Sequence, residues 1–169
     1  RGLEVVADRL RVDGWTARVV ADDNALVDRA AAVRAGIGWW GRNANVLLPG
    51  RGSWFVLGSV VTDASLPASE PVPDGCGTCR RCLDLCPTGA ILDGGVVDAR
   101  RCLAWLVQAP GTIPLEFREA LEGRLYGCDD CQEACPVGRP ERTADGTVDP
   151  AADVEALSVL DASDDEVMD

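Results

Sequence analysis

The apolar residues near the start of the chain follow the spacing of a helix. They predict an amphipathic helix over residues 3–12 whose buried face is formed by Leu3, Val6, Ala7 and Leu10. Gly14 ends this pattern, and the β-prone run 16–20 predicts a short strand. A second helix is predicted over residues 25–35, with Asn24 as its N-cap and Gly36 at its C-terminal cap.

A glycine- and tryptophan-rich turn over residues 36–43 comes next. Two apolar runs, 46–48 and 54–62, flank the sequence Pro-Gly-Arg-Gly at positions 49–52 and predict a hairpin. The proline-rich and acidic stretch 63–75 is typical of a linker.

Further helix signals lie among and after the cysteines. Asp98 can cap a helix that runs to about Gln108, and Pro114 can open another that Gly123 closes. A last helix is predicted over residues 154–160. These signals divide the chain into three parts: an N-terminal part over 1–66, a cysteine-rich part over 67–140, and an acidic linker with the start of a further region over 141–169.

Composition and charge narrow the functions that this chain can have. The net charge is −12, and the segment from Glu141 onward holds much of it, so charge gives no support to nucleic-acid binding by that segment. The chain contains no histidine, which excludes Ser–His and Cys–His catalysis and histidine-ligated metals. It has no apolar run of membrane-spanning length, no signal peptide and no initiator methionine. We therefore expect an internal fragment of a cytoplasmic protein that makes no membrane contact.

Seven of the eight cysteines form two spaced groups. The first group, CxxCxxCxxxCP, begins at Cys76 and has the spacing of bacterial ferredoxins, in which three thiolates bind one [4Fe–4S] cluster and the fourth reaches the other. The second group, CxxCxxxCP, begins at Cys128 and lacks one leading cysteine, which Cys102 replaces. The spacing predicts one cluster on Cys76, Cys79, Cys82 and Cys135, and another on Cys86, Cys102, Cys128 and Cys131.

Disulfides and zinc are the alternative explanations for these cysteines. Eight cysteines allow 105 disulfide pairings, but a chain with cytosolic features disfavours disulfides. Zinc binds CxxC pairs, yet zinc ribbons rarely carry the CxxCxxCxxxCP run. Two adjacent clusters indicate electron relay.

Four segments carry a resemblance to a known family. AGIGWWGRN, GSWFVLG, CGTCRRCLDLCPTGAI and LYGCDDCQEACP resemble the epoxyqueuosine reductase family from about Val20 to Arg139. The resemblance implies an oxidoreductase with cobalamin and two [4Fe–4S] clusters, which reduces epoxyqueuosine to queuosine in tRNA. Its fold would be α+β, with an N-terminal α/β corrinoid-binding part followed by a bacterial two-cluster ferredoxin-like domain. An external low-potential electron donor is also implied, with tRNA held by parts largely outside this chain.

The same resemblance implies roles for individual residues. Asp22 matches the family's proposed proton donor, and Asp23 takes that role if the register slips by one residue. Cofactor contacts are expected at the glycine turn, the hairpin and one cluster loop: Arg42, Asn43, Val46, Leu57 and Asp129. Two other functions stay open, namely a related corrinoid reductase of another substrate, such as an organohalide, and a ferredoxin-type electron carrier without cobalamin.

Overall fold

The structure is a computed structural model that describes residues 1–138. It is a mixed helix and strand fold in which every strand pair is antiparallel. The helices are α1 (Gly2–Val12), α2 (Asp28–Arg34), α3 (Arg81–Asp84), α4 (Leu103–Leu106), α5 (Leu115–Leu121) and α6 (Asp130–Glu133). The strands are β1 (Ala17–Val20), β2 (Trp39–Trp40), β3 (Val46–Leu47), β4 (Ser59–Thr62), β5 (Ile91–Leu92) and β6 (Val96–Val97).

The predicted first helix and strand are confirmed. Helix α1 packs on the β1–β4 ribbon and buries Ala7 completely, whereas Val6, expected on the buried face, is 52% exposed. Thr16, just before β1, is bound to Asp63, just after β4. Its backbone N–H donates to Asp63 Oδ1 at 2.8 Å, and its hydroxyl donates to Oδ2 at 2.9 Å.

The predicted hairpin of residues 46–48 and 54–62 is wrong. Strand β3 pairs with β2, and β4 pairs with β1, more than forty residues away in the register Ala17↔Thr62. Between them, the turn at residues 48–52 is closed by a single bridge from Leu48 to Gly52. The expectation failed because it assumed that neighbouring apolar runs pair, whereas both of these strands pair with strands earlier in the chain.

Helix α2 begins later than its predicted start at residue 25. The carboxylate of Asp23 accepts a hydrogen bond from the Ala25 N–H at 2.9 Å, which folds the preceding residues into a turn. Asp23 therefore stabilises the turn before α2, and the N-cap of the helix is Val27 and not the expected Asn24. Gly36, at φ +67°, follows the end of the helix as predicted.

The predicted helix from Asp98 to Gln108 is divided. Asp98 does cap its start, since its carboxylate accepts from the Arg100 N–H at 3.1 Å, but a 3₁₀ turn (Ala99–Arg101) follows. Cys102 is extended, and α4 begins after it. Helix α5 follows Pro114 as expected and is capped at its C-terminus by Glu122, one residue before Gly123. The predicted helix at 154–160 lies outside the described residues.

Gly52 is expected to be essential for joining the N-terminal part to the cysteine-rich part. It has φ +67°, and a Cβ there would lie 2.5 Å from the Val137 carbonyl oxygen and 2.7 Å from that of Gly138. Gly52→Ala should lower the free energy of unfolding by roughly 2–4 kcal/mol, through backbone strain and this clash. Gly50→Ala is the matched control, because Gly50 has φ +71° but open space around it, and should cost about 1 kcal/mol. Thermal unfolding measures both, and equal losses would contradict the packing argument.

Candidate metal centres and the adjoining cleft

Four cysteines surround a small cavity of about 40 Å³. Its cysteine lining is the set predicted for one cluster: Cys76, Cys79, Cys82 and Cys135. A tight turn places the first two, because the Cys79 N–H donates to the Cys76 carbonyl at 3.0 Å. Helix α3 carries the buried Cys82, and Cys135 arrives just after α6.

The other four cysteines surround a larger cavity of about 480 Å³. They are the second predicted set: Cys86, Cys102, Cys128 and Cys131. The break before α4 is what brings Cys102 here, since that residue stands at the N-cap of the helix. Helices α3 and α6 pack against each other, so each cysteine group contributes to both cavities. We call these the first and second cysteine cavities.

The electrostatics of both cavities favour a cationic occupant. Burial, together with the neighbouring thiols Cys128, Cys86, Cys102 and Cys82, raises the pKa of Cys131 to about 12. Burial followed by Cys135 and Cys76 likewise raises the pKa of Cys82. Packed thiolates repel one another, and a metal centre removes that repulsion.

The pKa of Cys86 is shifted in the opposite direction. Burial acts to raise its pKa, but the backbone N–H groups of Ile91, Thr88 and Ala90 outweigh burial and lower it. The Ala90 N–H donates to Cys86 Sγ at 3.2 Å.

The spacing of the thiols within each cavity bears on the choice between zinc and an iron–sulfur cluster. All eight cysteines lie within the described residues as free thiols. Within residues 1–138, no three side chains of the types that bind metals converge closely enough to hold a single ion. Four thiols around a void suit a polynuclear centre better than zinc.

A third cavity of about 450 Å³ adjoins the second cysteine cavity. Asp22, Val46 and Leu57, three of the residues expected at the catalytic and cofactor site, line it together. Arg29 and Asn45 line both this cavity and the second cysteine cavity, so the two are neighbours along one cleft.

The other expected cofactor contacts lie elsewhere. Asp129 lines the second cysteine cavity, and Arg42 lines the first. Arg42 is held there by Asp93, whose carboxylate accepts at 2.8 Å, and by the Gly77 carbonyl at 3.0 Å. Asn43 lines both cysteine cavities.

Sequence reasoning missed several residues of the cleft. Arg29 donates to the Ala44 carbonyl at 2.8 Å, and the buried Asp28 Oδ1 has no hydrogen-bond partner among the described residues. Ser53, 9% exposed, donates to Gln132 Oε1 at 2.8 Å and ties the turn to α6. The Asp-Arg pair and the alternate asparagines at 43 and 45 were the available signals, and both are weak.

No helix within the part of the chain described here is long and apolar enough to cross a membrane.

Comparison with known proteins places the chain in one family. Residues 75–138 match the model of a 4Fe-4S double cluster binding domain. Epoxyqueuosine reductase of Bacillus anthracis is 44% identical over 120 residues, which are 71% of this chain and 32% of that protein. The chain thus spans about a third of the length of the curated relatives it matches.

Solved structures of epoxyqueuosine reductases share the fold of this chain. An epoxyqueuosine reductase with a tRNA-Tyr epoxyqueuosine-modified stem loop has a TM-score of 0.77 at 39% identity, over 80% of this chain and 36% of its own. The Bacillus subtilis enzyme, with its aspartate catalytic loop swung out of the active site, has a TM-score of 0.75 at 39% identity, over 82% and 37%. With its double-cluster domain and this shared fold, the chain belongs to the epoxyqueuosine reductase family.

Proposed function

We propose that this chain is the cluster-binding and corrinoid-facing segment of a cytoplasmic, cobalamin-dependent reductase that converts epoxyqueuosine to queuosine in tRNA. The observation that carries the proposal is that neighbouring cavities share lining residues. Asn43 lines both cysteine cavities, and Arg29 and Asn45 line the second cysteine cavity and the third. The third cavity has a carboxylic acid, Asp22, in its wall. Such an order suits electron delivery at one end and proton delivery at the other.

The ligand sets proposed for the two [4Fe–4S] clusters are the linings of the two cysteine cavities. Cys76, Cys79, Cys82 and Cys135 hold the first cluster, and Cys86, Cys102, Cys128 and Cys131 the second. On this assignment, residues 67–140 form the two-cluster domain, and residues 1–66 form part of the cobalamin-binding region. The second cluster lies nearer the third cavity, because Arg29 and Asn45 line both. Electrons from an external low-potential donor therefore leave the chain from the second cluster.

The apolar lining of the third cavity supports the proposal that one face of a corrinoid lies there. Val46, Phe55, Val56 and Leu57 line it, and Val56 is 98% exposed. The unpartnered Asp28 Oδ1 can accept a hydrogen bond from a side-chain amide of the corrin ring. When bound, cobalamin supplies a cobalt centre that can be reduced to a strong nucleophile or reductant.

Asp22 supplies the proton in this proposal. Converting an epoxide to an alkene consumes two electrons and two protons and releases water, and the oxygen freed by C–O cleavage needs a placed acid. Asp22 lies in the wall of the third cavity with φ +51°, in the left-handed region that aspartate adopts more readily than most residues other than glycine. The aspartate catalytic loop of the Bacillus subtilis relative supports the same role.

The assay uses the full-length protein, reconstituted without oxygen with iron, sulfide and cobalamin. An anticodon stem loop carrying epoxyqueuosine should lose one oxygen atom by mass when a chemical reductant is present. Omitting cobalamin should abolish the product. Product formation without cobalamin, or clusters that turn over no epoxide with it, would contradict the proposal.

Cluster assembly in the second cysteine cavity should depend on pH. The raised pKa of Cys131, about 12, keeps that thiol protonated near neutral pH, while cluster binding needs the thiolate. Assembly therefore releases a proton, and its rate should rise from about pH 7 to about pH 9. The growth of the iron–sulfur absorption band during reconstitution measures this rate, and a flat or falling profile would contradict the expectation.

A further inference from the structure

The two adjacent tryptophans of strand β2 make different hydrogen bonds. Trp39 is 7% exposed, and its indole N–H donates to Cys76 Sγ at 3.4 Å. Trp40 is 40% exposed, and its indole N–H donates to the Gly95 carbonyl at 2.9 Å. Successive residues of a strand point to opposite faces, so one ring meets Cys76, which lines the first cysteine cavity, and the other meets the β5–β6 hairpin.

Packing holds the Trp39 ring against the cysteine loop. A Cβ on Gly75 would lie 2.7 Å from Trp39 Cζ2, so the ring rests on the backbone of the residue just before Cys76. This packing restricts rotation of the Trp39 ring and keeps its N–H directed at Cys76 Sγ.

Asn43 brings a second N–H donor to the first cysteine cavity. It is 4% exposed and lines both cysteine cavities. Its Oδ1 accepts from the Asn45 N–H at 3.2 Å, but its Nδ2 meets no acceptor within residues 1–138. A buried N–H without an acceptor is costly, and the sulfurs of a bound cluster would provide one.

We infer that Trp39 and Asn43 donate N–H groups to the sulfurs of the first cluster and thereby raise its reduction potential. The inference rests on the proposed ligand set. An N–H donor stabilises the more negative, reduced cluster more than the oxidised one, which makes reduction easier. Both are positioning residues, since neither belongs to the third cavity. Trp39 and Asn43 would thus tune electron flow between the clusters, one acting through Cys76 and the other from the wall between the cavities.

The test is an anaerobic redox titration of the full-length, reconstituted protein, followed by EPR. Trp39→Phe removes the indole donor and keeps an aromatic ring, so the potential of the first cluster should fall while that of the second stays unchanged. Asn43→Leu keeps the shape without a donor and should also lower the first potential. Trp40→Phe is the matched control, and it should leave both potentials at the wild-type values.

The outcomes separate the inference from the proposed function. Unchanged potentials in both Trp39→Phe and Asn43→Leu, at full iron content, would overturn the tuning role and leave the ligand sets intact. Loss of the first cluster's iron in Trp39→Phe alone would also overturn it, in favour of a purely structural role. Wild-type protein without two distinct cluster signals would overturn the ligand assignment, and the inference with it.

Discussion

Replacing Asp22 by asparagine is expected to reduce turnover of epoxyqueuosine in tRNA by roughly 10²- to 10⁴-fold, the range for loss of a general acid. The amide keeps the shape of the side chain but cannot release a proton to the oxygen freed from the epoxide. The iron content should stay at the wild-type level, because Asp22 lines neither cysteine cavity. Single-turnover assays with the reduced protein separate this loss from a loss of electron supply.

Asp23→Asn is the matched control for this substitution. The Asp23 carboxylate is used locally, where it accepts from the Ala25 N–H at 2.9 Å and pairs with Arg18 at 3.3 Å. The control should keep most of the activity and lose a little stability. A loss in Asp23→Asn with normal turnover in Asp22→Asn would move the proton donor to Asp23.

Replacing Cys102 by serine is expected to halve the iron content, from about eight to about four atoms per chain. The second cluster would lose its only ligand outside the two cysteine groups, and turnover should cease because electrons leave through that cluster. Cys79→Ser is the complementary variant, and it should remove the first cluster while retaining the second. EPR spectra of the two variants should therefore show different surviving signals.

Two outcomes would contradict the assignment of Cys102. A Cys102→Ser protein with about eight iron atoms would show that another group completes the second cluster. The same surviving signal in both variants would mean that the two ligand sets are drawn wrongly.

The cysteine partition could be proposed from the sequence because it depends on short spacing. Within CxxCxxC, the chain is too short to place its thiols anywhere but around one centre. Cys102 could be assigned to the second cluster because that cluster otherwise has only three cysteine ligands. The structure brings the same two sets of four together. Asp22, Val46 and Leu57 also meet in one cavity, although that grouping was expected only from the resemblance.

The predictions that failed concern which strands pair and where helix α2 begins. Strand β4 pairs with β1, which lies about forty residues earlier in the chain, and no local pattern encodes that choice. The later start of α2 depends on one hydrogen bond, from the Ala25 N–H to Asp23. Arg29 and Asn45 line two cavities only in the folded chain, so their place in the cleft had only a weak signal in the sequence.

The helices of the cysteine-rich part explain why metal content is the decisive quantity. Helices α3, α4 and α6 have four residues each, too short to be stable without external support. Cluster coordination is the natural source of that support, since all three begin, end or contain a cysteine ligand of the proposed sets. We expect removal of iron to unfold this part of the chain first.

The most direct test of the whole account is the metal content of the full-length protein, purified without oxygen and reconstituted with iron, sulfide and cobalamin. We expect about eight iron atoms and a single cobalt per chain. Eight iron atoms without cobalt would leave a ferredoxin-type electron carrier and remove the role proposed for Asp22. Zinc in place of iron would contradict the assignment of both cysteine cavities.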